Sequence, residues 1–195
     1  MAILPIRLYG DPVLKELALP VELFDKALAR FGDDLMDTMR AASGVGLAAP
    51  QVGILRRMFA YDLGHNEETG EHPHGVVVNP RIVQAEGEQT GDEGCLSFPG
   101  LYYECTRAEL VRVEAVDVKG SPLDLTGQGL LARVFQHEID HLDGVLFIER
   151  LPRAERKKAM KAWRERELDL EVPGAQPHVH VPVPGRSGAG AGPAL

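Results

Sequence analysis

Residues 136–144 read Gln-His-Glu-Ile-Asp-His-Leu-Asp-Gly, and no other stretch limits the fold of this chain so strongly. His137 and His141 stand four residues apart. On a helix such positions share one face about one turn apart, so both imidazoles reach a single metal ion. Glu138 is offset by one residue and falls beside that ion rather than on it. A carboxylate in that place serves the proton transfers of metal-assisted hydrolysis. The spacing demands a helix and points to a metallohydrolase.

A catalytic site of this kind usually takes three protein ligands and keeps one position open. One common completion places a third histidine six residues after the second with a glycine halfway; Gly144 is there, but position 147 is Phe147. The other takes a glutamate from a later helix. Glu149 is too near to fold back, and Glu155, Glu165 and Glu167 belong to a charged segment that reads as solvated. Cys95 is the better candidate. It lies in Asp92-Glu93-Gly94-Cys95-Leu96-Ser97-Phe98-Pro99-Gly100, where glycines and a proline define a tight loop. A thiolate and two imidazoles form a sound set for Zn²⁺ or Fe²⁺. Cys105 lacks such a setting and reads as a small core residue, and a Cys95–Cys105 disulfide is disfavoured.

A third segment, Gly44-Val45-Gly46-Leu47-Ala48-Ala49-Pro50-Gln51-Val52-Gly53, is too rich in glycine for a helix core and lacks the spacing of a phosphate loop. By itself it reads as a strand edge and a turn. With the cysteine loop and the histidine helix it forms an ordered trio that resembles peptide deformylase. The resemblance runs from about Ile3 to about Leu170 and includes Tyr9-Gly10-Asp11-Pro12-Val13-Leu14. It implies an enzyme that removes the formyl group from formylmethionine on newly made polypeptides. It also implies Fe²⁺ as the native ion, although Zn²⁺ suits the donors chemically. The family's roles carry over to Glu138 as proton carrier and to the Gln51 amide and the Leu96 N–H as oxyanion donors. Cys95, His137 and His141 become the metal ligands. The backbone at Val45 and Gly46 is expected to add the extended substrate as a strand. Arg133 falls near the implied methionine pocket, where its stem would lie along the rim. Glu93 and Arg107 are placed to pair beneath the cysteine loop.

The remaining composition sets bounds. At 195 residues the chain suits one buried core, and a formal net charge of −8 argues against a nucleic-acid binder. No apolar run approaches a membrane span, no secretory signal is visible, and two cysteines fit a reducing cytoplasm. Helical periodicity predicts a helix from about Val21 to Ala42, closed by Gly44. Strands are expected at Met58–Leu63, Gly75–Asn79 and Leu110–Val118, with turns at Ser121-Pro122 and Gly127. The ligand helix is expected from Gly129 to Leu142. The fold class is therefore α+β, with mostly antiparallel strands around a central metal-binding helix, as the resemblance also implies.

Pro152 opens a charged helix reaching Leu170, with seven basic residues and two glutamates between Arg153 and Arg166. It reads first as a solvated face, and second as a contact for the ribosome surface. The catalytic domain is expected over 1–171. From Val172 to Leu195 the chain is rich in proline and glycine, and its His178 and His180 read as incidental. Two other functions compete: a zinc endopeptidase, which leaves Cys95 and the glycine-rich segment unexplained, and a catalytically dead module that only binds formylated chains. Glu138 and Gln51 are both present, which counts against the second.

Overall fold

A computed structural model describes residues 2–67, 69–170 and 179–180 of the chain. In chain order the elements are β1 (Ile6–Arg7), α1 (Lys26–Ala41), β2 (Gly46–Ala48), β3 (Met58–Asp62), β4 (His74–Glu86), β5 (Gln89–Cys95), β6 (Phe98–Arg107), β7 (Leu110–Val116), β8 (Pro122–Gln128), α2 (Leu130–Leu142), α3 (Arg153–Leu170) and β9 (Val179–His180). An antiparallel sheet in the order β2-β3-β4-β7-β8 forms the body, and β5 and β6 make a separate hairpin. The fold is α+β, as expected. Among the described residues no helix is long and apolar enough to cross a membrane.

Alternation along β3 shows how the sheet holds the ligand helix. Phe59 and Tyr61 pack with Val134, Phe135 and Ile139 of α2. Their neighbours Met58 and Ala60 belong to the clusters that bury Leu28, Leu35 and Met39 of α1. A strand buried on both faces shows a continuous apolar run, and each large side chain covered this way contributes about 1.5–3 kcal/mol. Thus α1 covers one face and α2 the other. A fourth cluster joins Cys95, Phe98 and Cys105 of the hairpin to Phe147 and to Ala159 and Trp163 of α3. The charged helix is therefore more than a solvated face: Trp163 is only 2% exposed.

Local departures from the sequence reading have physical causes. The first helix begins at Lys26, where the Asp25 side chain accepts from Leu28 N–H at 2.8 Å. Residues before it stay extended because Asn79 holds both the N–H and the C=O of Val21, each at 2.8 Å. The helix is left through Ser43, at φ 56°, rather than at Gly44. β4 continues past Pro80 through register shifts, which absorb the ring that would otherwise end the strand. Gly127 is no turn but lies within β8, because a β-carbon there would sit 3.0 Å from Ala132 N, where α2 crosses. Ser121-Pro122 does turn the chain, with Asp117 N–H donating to Ser121 C=O at 2.9 Å. The ligand helix runs from Leu130 to Leu142, one residue shorter than expected at its start. Within the expected tail, the pair 179–180 forms β9 antiparallel to β1; the rest of it, including His178, lies outside the described residues.

Asp62 ties three segments at the end of β3. Its carboxylate accepts from Arg40 Nε at 2.8 Å and Gly64 N–H at 2.9 Å, and pairs with His72 Nε2 at 2.7 Å. Burial works against its ionisation, but these partners outweigh that and hold the carboxyl at about 2. Such a group stabilises the fold fully above its ordinary value of 3.8 and loses that contribution as pH falls toward about 2. Replacing Asp62→Asn is expected to cost on the order of 1–2 kcal/mol at pH 7. Urea unfolding should show that difference shrinking below about pH 4; a difference constant from pH 7 to pH 3 would contradict the assignment.

Candidate metal centre

The ligand helix is anchored where precision matters. Gln136 faces the turn after β6, accepting from Ala108 N–H and donating to Ala108 C=O, both at 3.0 Å. At the other end, Val145 N–H reaches Asp140 C=O at 2.8 Å and Gly144 N–H reaches His141 C=O at 3.2 Å, a Schellman closure. His137 and His141 are each 1% exposed. Cys95 ends β5, and Leu96 and Ser97 turn the chain into β6. One ligand atom from each of Cys95, His137 and His141 lies within 4.8 Å of the others. Cys95 Sγ and His141 Nε2 are 3.2 Å apart.

Glu93 orients the first histidine. Its Oε1 sits 2.7 Å from His137 Nδ1, which leaves His137 Nε2 buried and without a protein partner. A ring nitrogen so exposed by the bond on its other side is how ligating histidines are set. Arg107 donates to Glu93 through Nη2 at 2.6 Å and Nε at 3.1 Å, the pair expected from charge and position. Its Nη1 also reaches Asp140 Oδ2 at 2.6 Å, and Arg150 Nη2 reaches Asp140 Oδ1 at 2.5 Å. Burial opposes the charge on Glu93, yet the bonds from His137 and Arg107 hold its carboxyl far below the usual range. Sequence reasoning did not single out Asp140 and Arg150; the i, i+10 pairing is set by the chain reversal after the helix.

Arg133 is not on a pocket rim. It is 4% exposed, and its Nη1 donates to Glu93 Oε2 and to Cys105 C=O, both at 2.9 Å. Its place on α2, one turn before His137, turns it toward the hairpin instead. Both cysteines are free thiols, and Cys105 is buried, its thiol pushed up to about 11 chiefly by burial.

Gln51 lies in the short 3-10 turn that follows β2 and is fixed by the end of that strand. Its Oε1 accepts Ala48 N–H at 2.8 Å, so Nε2 must face the centre, 3.5 Å from Cys95 Sγ and 3.2 Å from Ser97 Oγ. Leu96, buried, follows the cysteine directly. Glu138 is fully buried, and neither carboxylate oxygen has a protein hydrogen bond. Gly46 lies against it: a β-carbon there would sit 2.8 Å from Glu138 Cδ and closer still to Oε1. Val45 C=O is occupied by Asp62 N–H at 3.0 Å, and β2 is an edge strand of the sheet.

The donors fit one divalent cation. Burial pushes the Cys95 thiol and the Glu138 carboxyl well up and the His141 imidazole well down. A bound cation favours the thiolate and the carboxylate and needs the neutral imidazole, so each shift is one that a metal would reverse or use.

A histidine pair on a buried helix, completed by a hairpin cysteine and flanked by an unbonded carboxylate, defines a mononuclear metallohydrolase of α+β fold. Residues 3–157 match the polypeptide deformylase family, and the chain belongs to it. Peptide deformylase of Acidothermus cellulolyticus is 51% identical over 167 residues, spanning 86% of this chain and 89% of that protein. The crystal structure of the Legionella pneumophila peptide deformylase superposes with a TM-score of 0.78 at 42% identity, covering 88% of this chain and 100% of its own. That from Thermus thermophilus gives 0.76 at 49% identity, covering 84% and 95%. The chain is a metal-dependent hydrolase that removes the N-formyl group from newly made polypeptides.

The contact between Gly46 and Glu138 yields a sharp expectation. Gly46→Ala must displace a buried carboxylate, and a shift near 1 Å can cost about 10²-fold in rate. Turnover should fall by that order while the metal content stays at the wild-type level. Unchanged turnover would show that the carboxylate position is not critical.

Proposed function

We propose that Cys95, His137 and His141 hold one Fe²⁺ ion, and that Glu138, Gln51 and Leu96 carry out the deformylation around it. The observation that carries this reading is the convergence of three buried donors beside a carboxylate with no protein partner. Bound there, the ion would supply Lewis acidity toward the formyl oxygen and acidify a water molecule. Glu138 takes the proton of the attacking water and passes it to the departing amine, help worth about 10²–10⁴ in rate. Gln51 Nε2 and the Leu96 N–H donate to the oxyanion of the tetrahedral intermediate, each worth about 10²–10³. A thiolate ligand donates charge and reduces the acidity that the ion confers, which makes the nearby base more important.

The nascent chain is extended and adds to β2 at Val45 and Gly46. Strand alternation divides the work. Val45 turns its carbonyl inward to Asp62, so Gly46 presents its backbone to the open edge. The cytoplasm is the proposed location, in keeping with two free thiols. The catalytic domain is assigned to 1–171.

A contact with the ribosome is proposed for the exposed basic side of α3, which carries Lys157, Lys161 and Arg164. Removing the helix is a poor test because Ala159 and Trp163 are core residues. Reversing those three charges should weaken co-sedimentation with ribosomes and leave turnover of a short peptide unchanged; full binding would sink the contact.

The reaction itself is checked with protein purified without oxygen, loaded in turn with Fe²⁺ and Zn²⁺ and given a formyl-Met peptide. Formate with an intact peptide is expected, faster with iron. Glu138→Gln should retain metal and lose about 10²–10⁴ in rate, whereas Cys95→Ala should lose the metal. Internal peptide fragments without formate would indicate an endopeptidase.

A further inference from the structure

Arg107 alone already makes two bonds to the Glu93 carboxylate, at 2.6 and 3.1 Å, so a second guanidinium is not required to pair that charge. Arg133 nonetheless adds a 2.9 Å bond to Oε2, and His137 Nδ1 takes Oε1 at 2.7 Å. These four bonds fill the roughly four lone-pair sites that a carboxylate offers. Arg133 and His137 stand four residues apart on α2 and hold opposite oxygens of the same group.

We propose that Arg133 is a positioning residue for deformylation: by drawing on Glu93 Oε2, it limits how strongly Oε1 pulls on the Nδ1 proton of His137, and so sets the donor strength of Nε2. The inference rests on the assignment of His137 as a metal ligand made above. A carboxylate behind a ligating histidine raises the basicity of the ring, and changing it commonly alters affinity or activity by about 10–100-fold. A carboxylate divided among more donors gives less to each. With Arg133 in place, His137 Nε2 donates less strongly, and the ion keeps more of its acidity toward water and the formyl oxygen. The second bond of Arg133, to Cys105 C=O at 2.9 Å, fixes the guanidinium against the hairpin that carries Cys95. That bond would brace the fold whatever happens at Glu93, so the test must separate bracing from tuning.

Full-length Arg133→Met and Arg133→Lys are compared with wild type, each loaded with zinc. The readouts are kcat and KM on a formyl-Met peptide, zinc release to excess chelator, and the proton resonance of His137 Nδ1–H. In the methionine variant that resonance should move downfield and zinc release should slow several-fold. Its kcat should fall about tenfold, with KM within twofold of wild type. Lysine, which keeps the charge but not the fork, should lie between. If the methionine variant fails to fold, the same shifts, smaller, are expected in the lysine variant. Faster zinc release, or a resonance that does not move, would reduce Arg133 to a brace and overturn the proposal. A wild-type His137 resonance indifferent to zinc loading would overturn the ligand assignment instead, and the inference with it.

Discussion

Glu93 has no exposed surface, yet its carboxylate receives His137, Arg107 and Arg133 together. An isolated buried anion would be strongly disfavoured, and removing one partner from such a cluster typically costs about 3–5 kcal/mol. The arrangement persists because every lone pair is used. It also decides the geometry of the centre, since β5 supplies both Glu93 and Cys95 while α2 supplies Arg133, His137 and His141. One carboxylate thus fastens the hairpin to the helix at the place where their ligands must meet. Asp140 extends the fastening to Arg107 and Arg150, so the chain leaving α2 is held by the same network.

Much of this was legible because its spacing is local. Two histidines a turn apart require a helix, which follows from neighbours in the sequence. The cysteine segment reads as a loop, but its glycines and proline lie in paired strands, Cys95 ends β5, and only Leu96 and Ser97 turn. The glycine-rich segment carried less meaning alone. Its role as an edge strand whose Gly46 lies against Glu138 needs a helix about ninety residues on, although the resemblance already pointed to it. Arg133 shows the limit most clearly. Its position on the helix was readable, but its partner lies 40 residues away in sequence on another element, and charge alone does not reveal which side it faces. Gly127 misled for a related reason: it reads as a turn, and here a crossing helix keeps it within β8, while the strand expected at Gly75–Asn79 runs on to Glu86 through register shifts. The charged helix hid Trp163 and Ala159 because two apolar positions carry little signal among so many charges.

The centre itself is governed by desolvation. Cys95, His141 and Glu138 are all shielded from water, and burial favours the uncharged form of each. A divalent ion changes the balance for the thiol and the carboxyl at once, because its charge compensates theirs in a medium with little screening. Metal uptake and proton release are therefore coupled. Gln51 and His137 are already oriented by Ala48 N–H and by Glu93, so little reorganisation of these two groups is needed on binding. Preorganisation of that kind is where enzymes gain most of their electrostatic advantage.

The proposed centre is a single ion held by one sulfur and two imidazoles, with Glu138 outside its ligand sphere. X-ray absorption at the zinc edge of the loaded full-length protein tests this most directly. One sulfur scatterer near about 2.3 Å and two imidazole nitrogens near about 2.0–2.1 Å are predicted, with the sulfur lost in Cys95→Ser and the pattern unchanged in Glu138→Gln. A shell without sulfur in the wild type, or one altered by Glu138→Gln, would contradict it.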